Sequence, residues 1–138
     1  MKKGMNGRAA VFLGAMTLAI AGPLFANPAR DAIIAKYASE AGVSTFSAKR
    51  GKALFMANHT GGKPTTPSCI TCHTSNLRGP GSTRVGKPID AMAVSVTPSR
   101  FTDIAKVEKW FGRNCNSVLG RLCTATEKGD VLTYLSSL

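Results

Sequence analysis

Apolar and polar positions alternate along this chain with a helical period in four places, and the stretches between are rich in glycine and proline. Ile33, Ile34, Tyr37, Ala38 and Ala41 form one stripe, entered through Asn27-Pro28 and stopped by Gly42. Ser47 is placed to cap a second helix, Ala48 to about Ala57, in which Gly51 and Phe55 lie one turn apart on the same face. Thr102 is expected to cap a third, with Asp103 in its first turn and Ile104, Val107, Trp110 and Phe111 as its stripe, ending near Arg113-Asn114. A last helix is expected to start at Thr126, with Glu127 and Asp130 following, and to bury Val131, Leu132 and Tyr134 or Leu135. His59 to Pro67 holds Gly61, Gly62, Pro64 and Pro67 and reads as a loop. Leu77 to Ser99, broken by Gly79-Pro80-Gly81, Gly86, Pro88 and Pro98, reads as mostly irregular chain. No stretch has the period of a strand. The pattern predicts an all-α protein with a loop-rich middle.

One apolar run has no helical period. Ala9 to Ala21 is 13 residues long, follows Lys2, Lys3 and Arg8, and is broken by Gly22-Pro23. Leu24-Phe25-Ala26 ends in a small residue suited to a signal peptidase. The run is short for a transmembrane helix, which needs about 20 residues, and predicts a cleaved secretory signal at 1–26 and export to the periplasm, with an uncleaved membrane anchor the alternative. No later stretch is apolar for long enough to span a bilayer. The remaining 27–138, 112 residues, fit one small domain with one core.

Cleavage changes the charge. The signal carries three of the 18 basic residues and none of the seven acidic ones, which leaves 15 against seven, a net +8. No basic run is interleaved with aromatics, and an exported chain has no access to nucleic acid. The surplus suits an acidic redox partner, or serves solubility alone.

The chemistry lies in Cys69-Ile70-Thr71-Cys72-His73. This is a C-x-x-C-H run, and it reads as a c-type haem attachment site. Two thiols at this spacing can each close a thioether to one haem vinyl group. The adjacent imidazole of His73 is then placed to bind the iron. From this composition the run arises by chance in roughly one chain in 600. A redox dithiol would want a βαβ surround, which is not visible. A zinc site would need Cys115 and Cys123, whose separation of eight is wrong for a second knuckle. In an oxidising compartment those two cysteines pair by default, with two free thiols the alternative. One covalent haem c would supply much of the apolar core of so loop-rich a chain. The order of helix, haem motif, loops and terminal helix is that of a small class I cytochrome c.

Function then turns on the sixth iron ligand. A Met thioether gives a low-spin electron carrier of raised potential, a second His one of lower potential, and a weak ligand or none leaves the iron open to small molecules. Met92, 19 residues after His73, is the first candidate from the motif alone. Met56 reads as helix core and His59 as a surface loop residue. Asn114, taken by itself, reads as a helix C-cap. Trp110 reads as core or haem packing, and Arg113 as a propionate partner or a solvated charge.

Arg100 to Asp103, Val107 to Arg121, Cys123-Thr124 and Glu127 to Asp130 resemble the sphaeroides haem protein family, as do Thr60 to Pro64, Pro67 to Cys69 and Thr71 to His73. The resemblance runs from about Gly51 to the C-terminus. It implies an exported monohaem cytochrome c of the class I fold. Asn114 would be the distal iron ligand and His73 the proximal one, with Cys115 and Cys123 joined in a disulfide. The asparagine would leave the iron on reduction, and the high-spin ferrous haem would bind oxygen, nitric oxide or carbon monoxide. A dihaem cytochrome c, or another redox protein, would be the electron donor. The family pattern is usually apolar without sulfur at position 92, so Met92 stands here as a rival ligand. The rival reading is a simple electron carrier with His73/Met92 ligation. A weaker third is a reductase of oxygen, nitric oxide or a related oxidant, which no acid/base pair near the motif supports.

Overall fold

The structure, a computed structural model, describes residues 26–138. Residues 1–25, which hold all of the expected signal peptide but Ala26, lie outside the described residues. Five helices appear: α1 Pro28–Ala41, α2 Ala48–Met56, α3 Ile70–His73, α4 Ile104–Leu119 and α5 Ala125–Ser136. Among the described residues no helix is long and apolar enough to cross a membrane.

The first two helices begin and end as their sequences indicate. The Asn27 side chain accepts from the amides of Ala29 and Arg30, Pro28 stands in the first turn, and Gly42 closes α1 in the left-handed conformation at φ 66°. The Ser47 hydroxyl accepts from the Arg50 amide to start α2.

The last two helices differ from expectation. Asp103, not Thr102, caps α4 by accepting from the Lys106 amide. The helix does not stop at Arg113-Asn114 but runs to Leu119, closed by Gly120. Asn114 is therefore an interior helical residue and not a C-cap. Thr124, not Thr126, caps α5 through a capping box in which the Thr124 hydroxyl accepts from the Glu127 amide and the Glu127 carboxylate accepts from the Thr124 amide. The absence of strand is also corrected, though slightly. Gly81–Ser82 (β1) and Pro88–Ile89 (β2) pair antiparallel across a turn at Gly86.

α5 is the centre of the molecule. It buries Val131, Leu132, Tyr134 and Leu135, all four apolar candidates. On one side α1 and α4 meet it in a cluster of Ile33, Tyr37, Val107 and Leu132. On the other side Phe55, Leu77, Met92, Val131, Tyr134 and Leu135 form a second cluster, against which Cys69 and Ile70 rest.

α2 crosses α5 at Gly51, where backbone touches backbone. A Cβ on Gly51 would lie 2.0 Å from the Asp130 carbonyl oxygen. The crossing is fixed by charge as well. Asp130, buried on α5, accepts from the Ser47 amide at 2.7 Å and from the Arg50 guanidinium at 2.6 and 2.9 Å. A glycine and an aromatic one turn apart, crossing the terminal helix, are thus found on α2.

Candidate haem and ligand site

Cys69, Cys72 and His73 lie on one helical turn. The Cys69 carbonyl accepts from the His73 amide at 3.2 Å, and the Ile70 carbonyl from the Thr74 amide at 3.0 Å. Positions i, i+3 and i+4 of a helix share a face, so both thiols and the imidazole point the same way. The turn is then broken sharply. Thr74 adopts φ 60°, ψ 171°, a conformation that costs about 1–3 kcal/mol outside glycine. The other non-glycine residue with positive φ among the described residues is Phe101, beside Arg100. The two strained residues thus adjoin the imidazole of His73 and Arg100, the charge that acts on it.

His73 is held in an apolar seat. The Phe55 ring lies 5.8 Å from the imidazole, centroid to centroid. Burial first, and then the positive Arg100, push the imidazole pKa down to about 4. The ring is neutral at ordinary pH, as a metal ligand must be. Its Nδ1 is buried and has no hydrogen-bond partner.

Arg100 is positioned from two sides. It donates to the carbonyls of Ala91 and Asp90 at 3.1 and 2.5 Å. Its own carbonyl accepts at 3.1 Å from Arg30, a buried residue of α1 that also donates to the Pro98 carbonyl at 2.6 Å. Nothing local marked Arg30 or Arg100 in the sequence, because their partners are backbone carbonyls and, for Arg30, about 70 residues away.

The cysteines divide as two pairs. Cys69 and Cys72 are not bridged to each other. Burial pushes the Cys69 thiol up to about 11, the reverse of a redox dithiol, whose attacking thiol is acidified. Cys115 and Cys123 are joined in a disulfide with their Cα atoms 5.6 Å apart, so neither can complete a zinc knuckle. Two unbridged thiols on one face beside a neutral imidazole with an orphaned buried nitrogen fit a covalently held haem. When bound, that group supplies a redox-active iron.

The remaining candidates separate clearly. Met92 is buried among Phe55, Leu77, Tyr134 and Leu135, in the same cluster that seats His73. Met56 is partly buried against that cluster. Asn114 is exposed on α4, next to the bridged Cys115. His59 is not a free surface residue, for its Nε2 lies 2.9 Å from the Leu54 carbonyl oxygen. Trp110 is not core: it is 52% exposed, with Lys109 and Arg113 over its ring at 5.7 and 5.6 Å.

Comparison with known proteins bears on the family and the fold. Residues 41–135 match a family model described as a domain of unknown function, DUF1924. The chain is 51% identical over 123 residues to the cytochrome c-type protein SHP of Cereibacter sphaeroides, covering 88% of this chain and 95% of that one. It is 38% identical over 86 residues to cytochrome c'' of Methylophilus methylotrophus, covering 62% and 60%. Among solved structures, that of oxidized SHP, described as an oxygen binding cytochrome c, superposes with a TM-score of 0.76 at 53% identity, covering 79% of this chain and 96% of that one. Oxidized cytochrome c'' superposes with a TM-score of 0.65 at 32% identity, covering 79% and 94%. The chain belongs to the sphaeroides haem protein family and is a c-type cytochrome of the class I fold.

Proposed function

We propose that this protein is an exported monohaem cytochrome that accepts electrons and, once reduced, binds a diatomic ligand at an iron vacated by Asn114. Cys69 and Cys72 hold the one haem by thioethers, and His73 is the proximal ligand. The observation that carries the reading is the contrast between the two distal candidates. Asn114 stands exposed on α4, while Met92 is sunk among apolar side chains. A neutral amide oxygen is a hard, weak donor. It suits ferric iron and holds the softer ferrous ion poorly, so reduction opens the site. The Asn114 amide can then turn its NH2 toward the bound diatomic and donate to it. Oxygen, nitric oxide and carbon monoxide are the ligands of this size and chemistry, and the 51% identical SHP has a solved structure described as that of an oxygen binding cytochrome c.

The n-region, the apolar run and the small residue at Ala26 direct the chain to the periplasm. A dihaem cytochrome c, or another redox protein with an acidic face, is the electron donor, drawn by the positive mature charge. The test is the reduced protein in solution. It should be high-spin, without the sharp split bands of a low-spin c haem, and should bind carbon monoxide quickly. A low-spin reduced spectrum indifferent to carbon monoxide would leave a plain electron carrier.

A further inference from the structure

The loop from His59 to Pro67 is a structural link between the haem-attachment turn and α4. Its ends are tied, since the His59 amide donates to the Pro67 carbonyl at 2.7 Å. Its tip lies on the last turn of α4. A Cβ on Gly61 would meet the Leu119 carbonyl oxygen at 2.4 Å, and one on Gly62 would meet that of Ser117 at 2.2 Å. Only bare backbone fits here.

Helix ends leave carbonyls without partners. α4 ends at Leu119, and the Ser117 carbonyl takes its donors from the loop: the Lys63 amide at 2.7 Å and the Thr66 hydroxyl at 3.2 Å. The Thr66 and Ser117 hydroxyls also meet at 2.8 Å. Thr66 is buried, and it stands three residues before Cys69. Ser117 stands three residues after Asn114, one helical turn away on the same face. The hydroxyl pair therefore joins the segment that carries the haem to the turn that carries the distal amide.

We infer that Thr66 and Ser117 are positioning residues that hold the Asn114 turn of α4 in register with the Cys69–His73 turn. The inference rests on Asn114 being the ferric ligand. A weak amide donor has little affinity to spare. A small displacement of its helix should therefore tip it off the iron, where a strong ligand would persist.

The test uses the ferric holoprotein, with cyanide as the probe of how readily the distal position is yielded. Asn114→Ala sets the limit for a site with no amide. Thr66→Val keeps size and removes the hydroxyl. It should raise cyanide affinity roughly fivefold, the usual worth of a buried hydrogen bond, and move the ferric spectrum part of the way to that of Asn114→Ala. Thr66→Ser, which keeps the hydroxyl, should behave as wild type. Where Thr66→Val does not accumulate as holoprotein, Ser117→Ala decides by the same measurements, with a rise of about threefold because the bonds to the carbonyl survive. Wild-type cyanide affinity in the deciding variant, beside a raised affinity in Asn114→Ala, overturns the inference alone. Equal rises in Thr66→Val and Thr66→Ser also overturn it, since packing and not the hydroxyl would then be responsible. Unchanged spectrum and affinity in Asn114→Ala remove the ligand reading beneath it.

Discussion

Phe55 lies against His73, with ring centroids 5.8 Å apart and planes tilted by 38°. On its other side Phe55 meets Tyr134 of α5 edge-on at 6.4 Å. The imidazole is thus seated on the crossing of α2 and α5. Phe55→Ala should cost about 3–5 kcal/mol, the range for deleting a buried aromatic, and should broaden the haem spectrum as His73 loses a fixed orientation. Denaturant unfolding of the holoprotein measures the first and the Soret band the second. A loss below about 1 kcal/mol would mean that the bound haem, not Phe55, orients the ring.

The same crossing has a backbone limit at Gly51. A methyl there would sit 2.0 Å from the Asp130 carbonyl oxygen, and carbonyl backbone cannot swing aside as a side chain can. Gly51→Ala should therefore cost about 3 kcal/mol, the upper part of the overpacking range, against the small gain expected for Gly→Ala in an unconstrained helix interior. Thermal unfolding of holoprotein would decide it, and a stabilised variant would refute the close approach.

Acid should act through the start of α5. Bidentate hydrogen bonding from Arg121, at 2.7 and 2.8 Å, is the main cause holding the Glu127 carboxyl down to about 2, helped by the Thr124 amide and opposed by burial. In the unfolded chain the same group takes up its proton near its ordinary 4.5. Between those values the unfolded chain binds more protons, so the stabilisation is present above about pH 4.5 and lost as pH falls toward 2. Glu127→Gln keeps the capping box but loses the ion pair. Its stability against pH should be flatter in that window, with only a small loss at neutral pH because the Arg121 side chain is 53% exposed. An unchanged acid slope in Glu127→Gln would place the titration elsewhere.

The disulfide should be both structural and spectroscopically visible. Cys115 is buried on α4 and Cys123 precedes the α5 cap, so the bond ties two helices through a short loop. Cys115→Ala with Cys123→Ala should cost about 2–3 kcal/mol. The untreated protein should take up no alkylating agent at these residues and two equivalents after reduction. Because Asn114 adjoins Cys115, reducing the bond should also perturb the ferric spectrum. Two reactive thiols in the untreated protein would contradict the pairing.

Local signals in the sequence decide the structure where the local interaction is strong. The Asn27-Pro28 entry, the Gly42 stop and the Ser47 cap each satisfy helix-end groups within a few residues, and all three appear as expected. The end of α4 did not follow its local signals. The expected end lies near Arg113-Asn114, with Asn114 by itself a C-cap residue. What carries the helix past that point is distant: the 59–67 loop supplies donors to Ser117, and the disulfide anchors Cys115. The Thr124 cap was legible, since Thr124-x-x-Glu127 is a capping-box pattern, but Thr126 drew the boundary two residues late. Tertiary partners hid Arg30 and Thr66 entirely, and Arg100 entered only within a stretch that resembles the family. At the site, the C-x-x-C-H turn was plain from spacing, while Asn114 came only through resemblance, because an exposed asparagine has no signature of its own.

The two distal candidates are decided by a pair of variants. Met92 lies in the cluster with Phe55, Leu77, Val131, Tyr134 and Leu135, so Leu at that position replaces one buried apolar group with another of similar volume. Met92→Leu should cost less than about 1.5 kcal/mol and leave the ferric and ferrous spectra as they were. Asn114→Ala removes only an exposed amide, so stability should change little while the ferric spectrum shifts and the reduced protein still binds carbon monoxide. Its bound oxygen should leave faster, since the amide donor to the diatomic is gone. Opposite outcomes would be equally clear. A sulfur-to-iron charge-transfer band in the ferric near-infrared, abolished by Met92→Leu, would make Met92 the ligand, return Asn114 to an ordinary place on the α4 surface, and leave the protein an electron carrier with a closed iron.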